Sequence, residues 1–196
     1  MALEVVGIDF DDVLFPFVSE CCAFDNAKYG TVFDYKQKEG FRMYHLWKCS
    51  EEEEIRRVFD FYLSTHHADV EPIKGASEAV KKLREKYELL IITARPAEVA
   101  HATLPWIEKH FPNLFREVYF LNHYAKNDWS KTKGDVCKEL GVKIFIEDSL
   151  HNARDISLCE IPVFLFDDYS NQVPDDELPP MVTRVFSWDE ITKRLL

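Results

Sequence analysis

The 196-residue chain predicts an α/β fold, a doubly wound and mostly parallel sheet of Rossmann-like type that carries a small helical insertion. Three observations carry that prediction. Residues 3–8 (LEVVGI) are dominated by β-branched and apolar types, and the run ends in Asp9, Asp11 and Asp12, three carboxylates within four residues. From residue 74 onward, short apolar runs alternate with amphipathic stretches, the pattern of parallel strands joined by right-handed helical crossovers. Between these regions, residues 15–73 hold no convincing β run, only helical patterns with scattered aromatics.

In chain order, residues 3–8 read as a buried strand whose carboxyl end carries the acids, on the edge of an open α/β sheet where ligands bind. Clustered carboxylates repel one another and lose hydration, so such a group persists where a cation or chemistry offsets the strain. The alternative is a turn in which Asp11 and Asp12 cap the next helix. The insertion predicts helices over Phe17–Tyr29 and over 51–64, the second opened by the Ser50/Glu53 capping box, with Glu51 to Glu54 as a solvated first turn favoured by the helix dipole. Residues 15–73 form either a helical cap, leaving 1–14 and 74–196 as the core, or a longer βα crossover. Beyond them the spacing predicts a helix over 75–87 on Ala76, Ala79, Val80 and Leu83, then a strand over 89–93 (LLIIT). A helix over 96–110 follows, with Ala100, Leu104, Ile107 and Phe111 on one face, and a strand over 117–121 (EVYFL). A helix over 133–140 ended by Gly141, a strand over 142–146 (VKIFI), a short helix over 153–159 and a strand over 162–166 (PVFLF) complete the alternation. The tail over 171–180, rich in Pro and Asp, reads as an exposed loop before a last helix at Trp188–Leu195.

The balance of 24 basic against 35 acidic side chains, a formal charge of −11, argues against a general binder of nucleic-acid polymers or membrane surfaces, both of which need clustered Lys and Arg. An anionic substrate would then need a local positive site within a negative molecule. The five cysteines are odd in number and lack metal spacing, as do the seven histidines, His66 and His67 included, so reduced thiols and no zinc are expected. Glu4 and the acids from Asp9 leave no room for a signal peptide, and no apolar run is long enough to span a bilayer; a cytoplasmic location is expected.

Parallel strands bring their carboxyl ends together, so Asp9 and Asp11, Thr93, and Glu147 and Asp148 converge on one edge, joined by Lys133 at the start of the helix before VKIFI. The segments IDFDDV from residue 8, IITARP from 91, KGDVCKELGV from 133 and FIEDSLHN from 145 together resemble the haloacid dehalogenase superfamily of Asp-nucleophile phosphatases. With the short helical cap and the acidic fourth segment, the chain looks most like its 5'(3')-deoxyribonucleotidase group. The resemblance implies that Asp9 is the nucleophile that forms an aspartyl-phosphate, and that Asp11 protonates the leaving alcohol and then activates water. It implies Mg²⁺ held by an Asp9 oxygen, the Asp11 main-chain carbonyl, Asp148 and waters. Thr93 would donate to a phosphoryl oxygen, and Lys133 would offset negative charge. Lys131 competes for that role, with poorer spacing to the following helix. Asp12 stands where many relatives have glycine, and its main-chain N–H is expected to face the phosphate, beside Ala94 and Arg95. Glu147 is expected behind the ligands, and Asn152, where many relatives have aspartate, to hydrogen-bond metal-bound water.

Substrate choice is expected to lie with the cap, where Phe15, Phe17, Phe41, Tyr44, His45 and Trp47 are the aromatic candidates. Tyr44 and Trp47 are singled out for base stacking, with packing of the cap core as the alternative. The resulting expectation is a Mg²⁺-dependent phosphomonoesterase of a small phosphorylated metabolite, most simply a nucleoside monophosphate. A sugar phosphate or other small phosphoester as substrate, and a non-catalytic phosphate- or nucleotide-binding member of the fold, are the alternatives. Asp11 argues against dehalogenation, which needs no acid at that position, and an inserted cap argues against large protein substrates.

Overall fold

The computed structural model describes residues 3–38, 42–123 and 131–196; of the aromatic candidates, Phe41 lies outside them. Six strands, β1 (Glu4–Ile8), β2 (Tyr87–Thr93), β3 (Glu117–Phe120), β4 (Val142–Glu147), β5 (Val163–Phe166) and β6 (Val182–Val185), form one sheet in the order β3-β2-β1-β4-β5-β6. Every pairing is parallel. The chain winds outward from β1 to β3, then crosses back to lay β4 on the other side of β1 before continuing to β6. The crevice beyond the carboxyl ends of β1 and β4 is therefore the switch point at which such sheets bind ligands. Ile8 stands opposite Ile146, and the main-chain N–H of Asp9 donates to the Ile146 carbonyl at 2.9 Å, so the residues following both strands emerge side by side.

The helices are α1 (Phe17–Tyr29), α2 (Tyr44–Trp47), α3 (Glu51–Tyr62), α4 (Thr65–Asp69), α5 (Ala76–Arg84), α6 (Ala100–His110), α7 (Lys133–Glu139), α8 (Leu150–Leu158) and α9 (Trp188–Leu195). Strand β2 is apolar without interruption from Leu89 to Ile92 because both of its faces are covered there. Leu89 and Ile91 join a cluster with buried residues of α5, α6 and α9, while Leu90 and Ile92 join a second cluster with those of α7 and α8. No helix among the described residues is long and apolar enough to cross a membrane.

The segment carrying α1 to α4 leaves the core after Leu14 and returns at Ile73, whose N–H donates to the Leu14 carbonyl at 2.9 Å. Its described buried apolar side chains belong to the same cluster as those of the sheet. Phe15 stacks on Phe10 at 5.6 Å and meets Trp106 of α6 at 5.0 Å and Phe61 of α3 at 6.2 Å, while the Trp106 indole N–H donates to the Val70 carbonyl at 2.8 Å. One apolar cluster thus runs from the sheet into α3.

Several expectations are corrected. Between the loop read over 171–180 and the last helix lies the edge strand β6, which was not expected: two prolines precede it and Arg184 interrupts its apolar pattern, yet Arg184 is buried because its guanidinium is fully hydrogen-bonded. Glu54 is no solvated first-turn acid; it is buried, pairs with Arg42 at 2.6 Å and accepts from the Met43 N–H at 2.5 Å. Helix α6 turns Thr103, Trp106 and Ile107 inward and leaves Leu104 exposed, because Trp106 and Thr103 both bond to groups beneath the insertion. Helix α8 begins at Leu150 rather than 153, capped by Ser149.

Gly7 in β1 lies under the Phe145 ring, and a Cβ there would stand 2.4 Å and 2.6 Å from two ring carbons. Gly7→Ala should therefore lower stability by about 1–3 kcal/mol through overpacking, read as a fall in Tm or denaturant midpoint; an unchanged midpoint would contradict this packing.

Candidate active site

Asp9 follows the last residue of β1 and is buried. Its Oδ1 accepts from the Phe10 N–H at 2.7 Å and meets the Lys133 ammonium at 3.1 Å. Both contacts fall on one oxygen, so Oδ2 is the oxygen turned to other partners. Lys133, the first residue of α7 and 1% exposed, also reaches Glu147 Oε2 at 2.9 Å. Its position is set by a close approach of α7 to α8: the Gly134 N–H donates to the Asp155 carboxylate at 2.7 Å, and a Cβ on Gly134 would sit 2.9 Å from the Asp155 carbonyl oxygen. A Thr132/Asp135 capping box starts the helix. Lys131, by contrast, pairs with exposed Glu139 and takes no part.

Among the described residues, Asp9, Glu147 and Asp148 offer carboxylate oxygens that all lie within 4.8 Å of one another. Burial and the neighbouring Glu147 charge hold the Asp9 carboxyl well above its ordinary pKa, and the same two causes, in the same order, raise Asp148. Burial works against the Lys133 ammonium, but the Asp9 and Glu147 carboxylates outweigh it and raise its pKa. Glu147 is bound on both oxygens, because Oε1 also accepts from the Ser149 N–H at 3.2 Å and from Asn152 Nδ2 at 3.1 Å. Asn152 thus holds Glu147, and Glu147 holds Lys133. The donor set is all oxygen, and one ammonium shared between two of three acids leaves excess negative charge, which fits a hard divalent cation such as Mg²⁺.

Asp11 is gripped by Arg95, with Nη2 to Oδ1 at 2.7 Å and Nε to both carboxylate oxygens at 3.1 Å and 3.0 Å. Arg95 is 1% exposed, and Nη1 also donates to the Thr103 hydroxyl at 2.9 Å and lies 3.2 Å from His67 Nε2. Its guanidinium packs on the rings of Phe10 at 4.4 Å and Tyr62 at 4.6 Å. Arg95, expected beside the phosphate, lines the cavity, and its guanidinium is paired with Asp11 and packed on the aromatic cluster. Thr93 ends β2 fully buried, and its Oγ1 accepts from the Arg95 N–H at 3.2 Å.

A cavity over these groups is lined by Asp9, Asp11, Asp12, Thr93, Ala94 and Asp148, with Phe17, Val18, Lys38, Met43 and Tyr62 from the insertion. Asp12 departs from expectation: at φ 55° its N–H donates to the Phe15 carbonyl at 2.7 Å rather than facing the cavity, and its Oδ1 accepts from the Val18 N–H at 3.1 Å. Asp12 thus makes a helix-capping contact to Val18, and it also lines the cavity. Its carboxyl is pushed up to about 7 by burial and by Asp11. Tyr44 and Trp47 do not line the cavity: Tyr44 packs on His45, and Trp47 is buried within the helical segment beside Arg57. The lining aromatics are Phe17, Tyr62 and Tyr169. Asp168, Tyr169 and Ser170, beyond the carboxyl end of β5, line the cavity and were missed, although Asp167 and Asp168 end an apolar run in acids just as Asp9 does.

Residues 3–196 match the sequence model of a family described as 5' nucleotidase, deoxy (pyrimidine), cytosolic type C protein. The chain is 24% identical over 139 residues to a nucleotidase of Clostridium acetobutylicum, covering 71% of this chain and 67% of that protein. Its fold is similar to a haloacid dehalogenase-like hydrolase from Streptococcus pneumoniae, with a TM-score of 0.72, 12% identity and 99% of each chain covered. It is also similar to a HAD-hydrolase of Bacillus subtilis bound to magnesium, with a TM-score of 0.64, 12% identity, and 100% of this chain and 99% of that one covered.

His67 beneath Arg95 is held neutral, its pKa lowered to about 3 first by burial and then by the Arg95 charge. The unfolded chain binds a proton near pH 6.5 that the fold refuses, so this contribution to stability is complete above pH 6.5 and is lost as pH falls toward 3, by at most about 1.4 kcal/mol per pH unit. His67→Gln should therefore lose less Tm than the parent protein between pH 7 and pH 5; parallel curves would show that His67 is not the group titrating.

Proposed function

We propose that this chain, which belongs to the family of 5' nucleotidase, deoxy (pyrimidine), cytosolic type C proteins within the haloacid dehalogenase superfamily, is a Mg²⁺-dependent hydrolase of nucleoside monophosphates. It is a phosphoric monoester hydrolase by family; the cation, the covalent route and the substrate are the proposal. The observation that supports it most is the cluster of Asp9, Glu147 and Asp148 at the switch point of the sheet, in which one buried lysine pairs with Asp9 and Glu147.

Asp9 Oδ2 attacks the phosphorus in line, and the bond from phosphorus to the substrate oxygen breaks with its electron pair on the leaving alcohol. Lys133 stays charged beside Asp9 and offsets the charge that gathers on the phosphoryl oxygens. The Thr93 hydroxyl can donate to one of those oxygens, since its recorded bond is one it accepts. Asp11, gripped by Arg95, is placed to take a proton from the water that hydrolyses the aspartyl-phosphate; to protonate the leaving alcohol first, it must carry a proton and turn off the guanidinium. Asp9, Asp148 and the Asp11 main-chain carbonyl would hold Mg²⁺, which supplies charge neutralisation for the incoming phosphate. Residues 15–73 act as the cap, excluding water with Phe17, Val18, Met43 and Tyr62.

Asp9→Asn should abolish turnover of an aryl phosphate with little change in Tm, and excess EDTA should abolish it reversibly. Activity near the parent level in the folded variant, or undiminished in EDTA, would remove the mechanism.

Phe17 and Tyr62 stack at 5.7 Å and line the cavity with Tyr169, offering flat apolar surface for a base. Stacking is worth roughly 1–3 kcal/mol by analogy with single-stranded nucleic-acid binders. Nucleoside monophosphates should show a higher kcat/KM than sugar phosphates of equal charge, and Tyr169→Ala should narrow the ratio by about tenfold. A sugar phosphate preferred by the parent protein would overturn the nucleotide assignment and leave the phosphatase standing.

A further inference from the structure

We propose that Asn171 and Arg184 are positioning residues for the cation site, fixing the main chain of Asp148 and through it the direction of its carboxylate. The inference rests on the reading of Asp148 as a magnesium ligand. Asp148 lies one residue beyond β4, where the strand ladder has ended. Its carbonyl oxygen accepts from Asn171 Nδ2 at 2.7 Å, and the same nitrogen donates to the Phe166 carbonyl at 2.7 Å, tying the loop after β4 to the end of β5. Asn171 Oδ1 accepts from Arg184 Nη1 at 2.7 Å and from the Asp168 N–H at 3.3 Å. Both amide donors and the acceptor are thus in use on a side chain that is 2% exposed.

Arg184 is filled in the same way. Nε donates to Asp175 at 2.8 Å, Nη1 to Asp167 at 3.0 Å and to Asn171, and Nη2 to the carbonyls of Asn171 at 3.2 Å and Val173 at 2.7 Å. Burial requires each donor of this guanidinium to find an acceptor, and the two aspartates take only Nε and one Nη1 hydrogen. Here it also binds the amide oxygen, which polarises the N–H groups that Asn171 aims at Asp148 and strengthens that bond. The same links hold the turn from Asp168 to Ser170 that forms a cavity wall.

Titrating the full chain with MgCl₂ in a calorimeter tests the proposal directly. Asn171→Ala should raise the Kd for Mg²⁺ about tenfold, as loss of a partner behind a ligand does elsewhere. The Mg²⁺ concentration for half-maximal phosphatase activity should rise with it, and activity should recover at saturating Mg²⁺. Arg184→Lys keeps the charge but loses the fork, and should shift the Kd the same way by less; it carries the test should Asn171→Ala not fold. Ile191→Ala, buried in α9, should lower Tm and leave the Kd unchanged. An unchanged Kd in the folded Asn171 or Arg184 variant, measured well below its Tm, overturns this inference and leaves the phosphatase reading intact. A parent protein that binds no Mg²⁺ overturns the reading of Asp148 as a magnesium ligand, and this inference with it.

Discussion

Three carboxylates crowd into the junction of β1 and β4 around a single buried ammonium, and much of the surrounding structure exists to make that tolerable. The parallel sheet supplies the convergence, since two strands that part company at a winding reversal deliver their next residues to the same crevice. Lys133 can serve both Asp9 and Glu147 only because glycine at 134 lets α7 approach α8 closely. Asn152 and the Ser149 N–H bind the Glu147 oxygen that Lys133 leaves over. Remove the lysine, and two buried acids would lose the cation between them; remove an acid, and a buried ammonium would stand half-paired.

A second cation does comparable work on the opposite wall. Arg95 binds Asp11 with its fork, Thr103 with its remaining nitrogen, and the rings of Phe10 and Tyr62 with its faces. Phe10 and Thr103 belong to the sheet side, whereas Tyr62 and His67 come from the inserted helices. The pocket wall and the attachment of those helices are therefore one set of contacts.

Strands β1 to β5 were legible as short apolar runs, most clearly in β1, β2 and β4, where burial on both faces leaves a run that needs no partner to be recognised. β6 was not, since its signature is an arginine whose burial makes sense only once Asp167, Asn171 and Asp175 have come around it. The acids and Lys133 were legible from order along the chain. What they bind was less so: Asp12 spends its N–H on Phe15 in a tight local turn at positive φ, and Arg95, which lines the cavity, pairs with Asp11, 84 residues away in sequence. The aromatic assignment failed for a related reason. Tyr44 and Trp47 lie in a four-residue helix too short to show a periodic face, so composition alone could not say which way they turned.

The hydrogen bond between Ile73 and Leu14 closes the insertion at its neck. Loop-closure entropy grows slowly with length, so a neck of this kind lets evolution lengthen or replace what hangs from it while the sheet register is kept. Here that freedom has been partly surrendered. Phe17 and Tyr62 face the cavity and also pack on one another and on Arg95, so a substitution that retailors the pocket for a new ligand disturbs the shared aromatic core at the same stroke. The shape of the pocket and the stability of the core are therefore coupled through these two side chains.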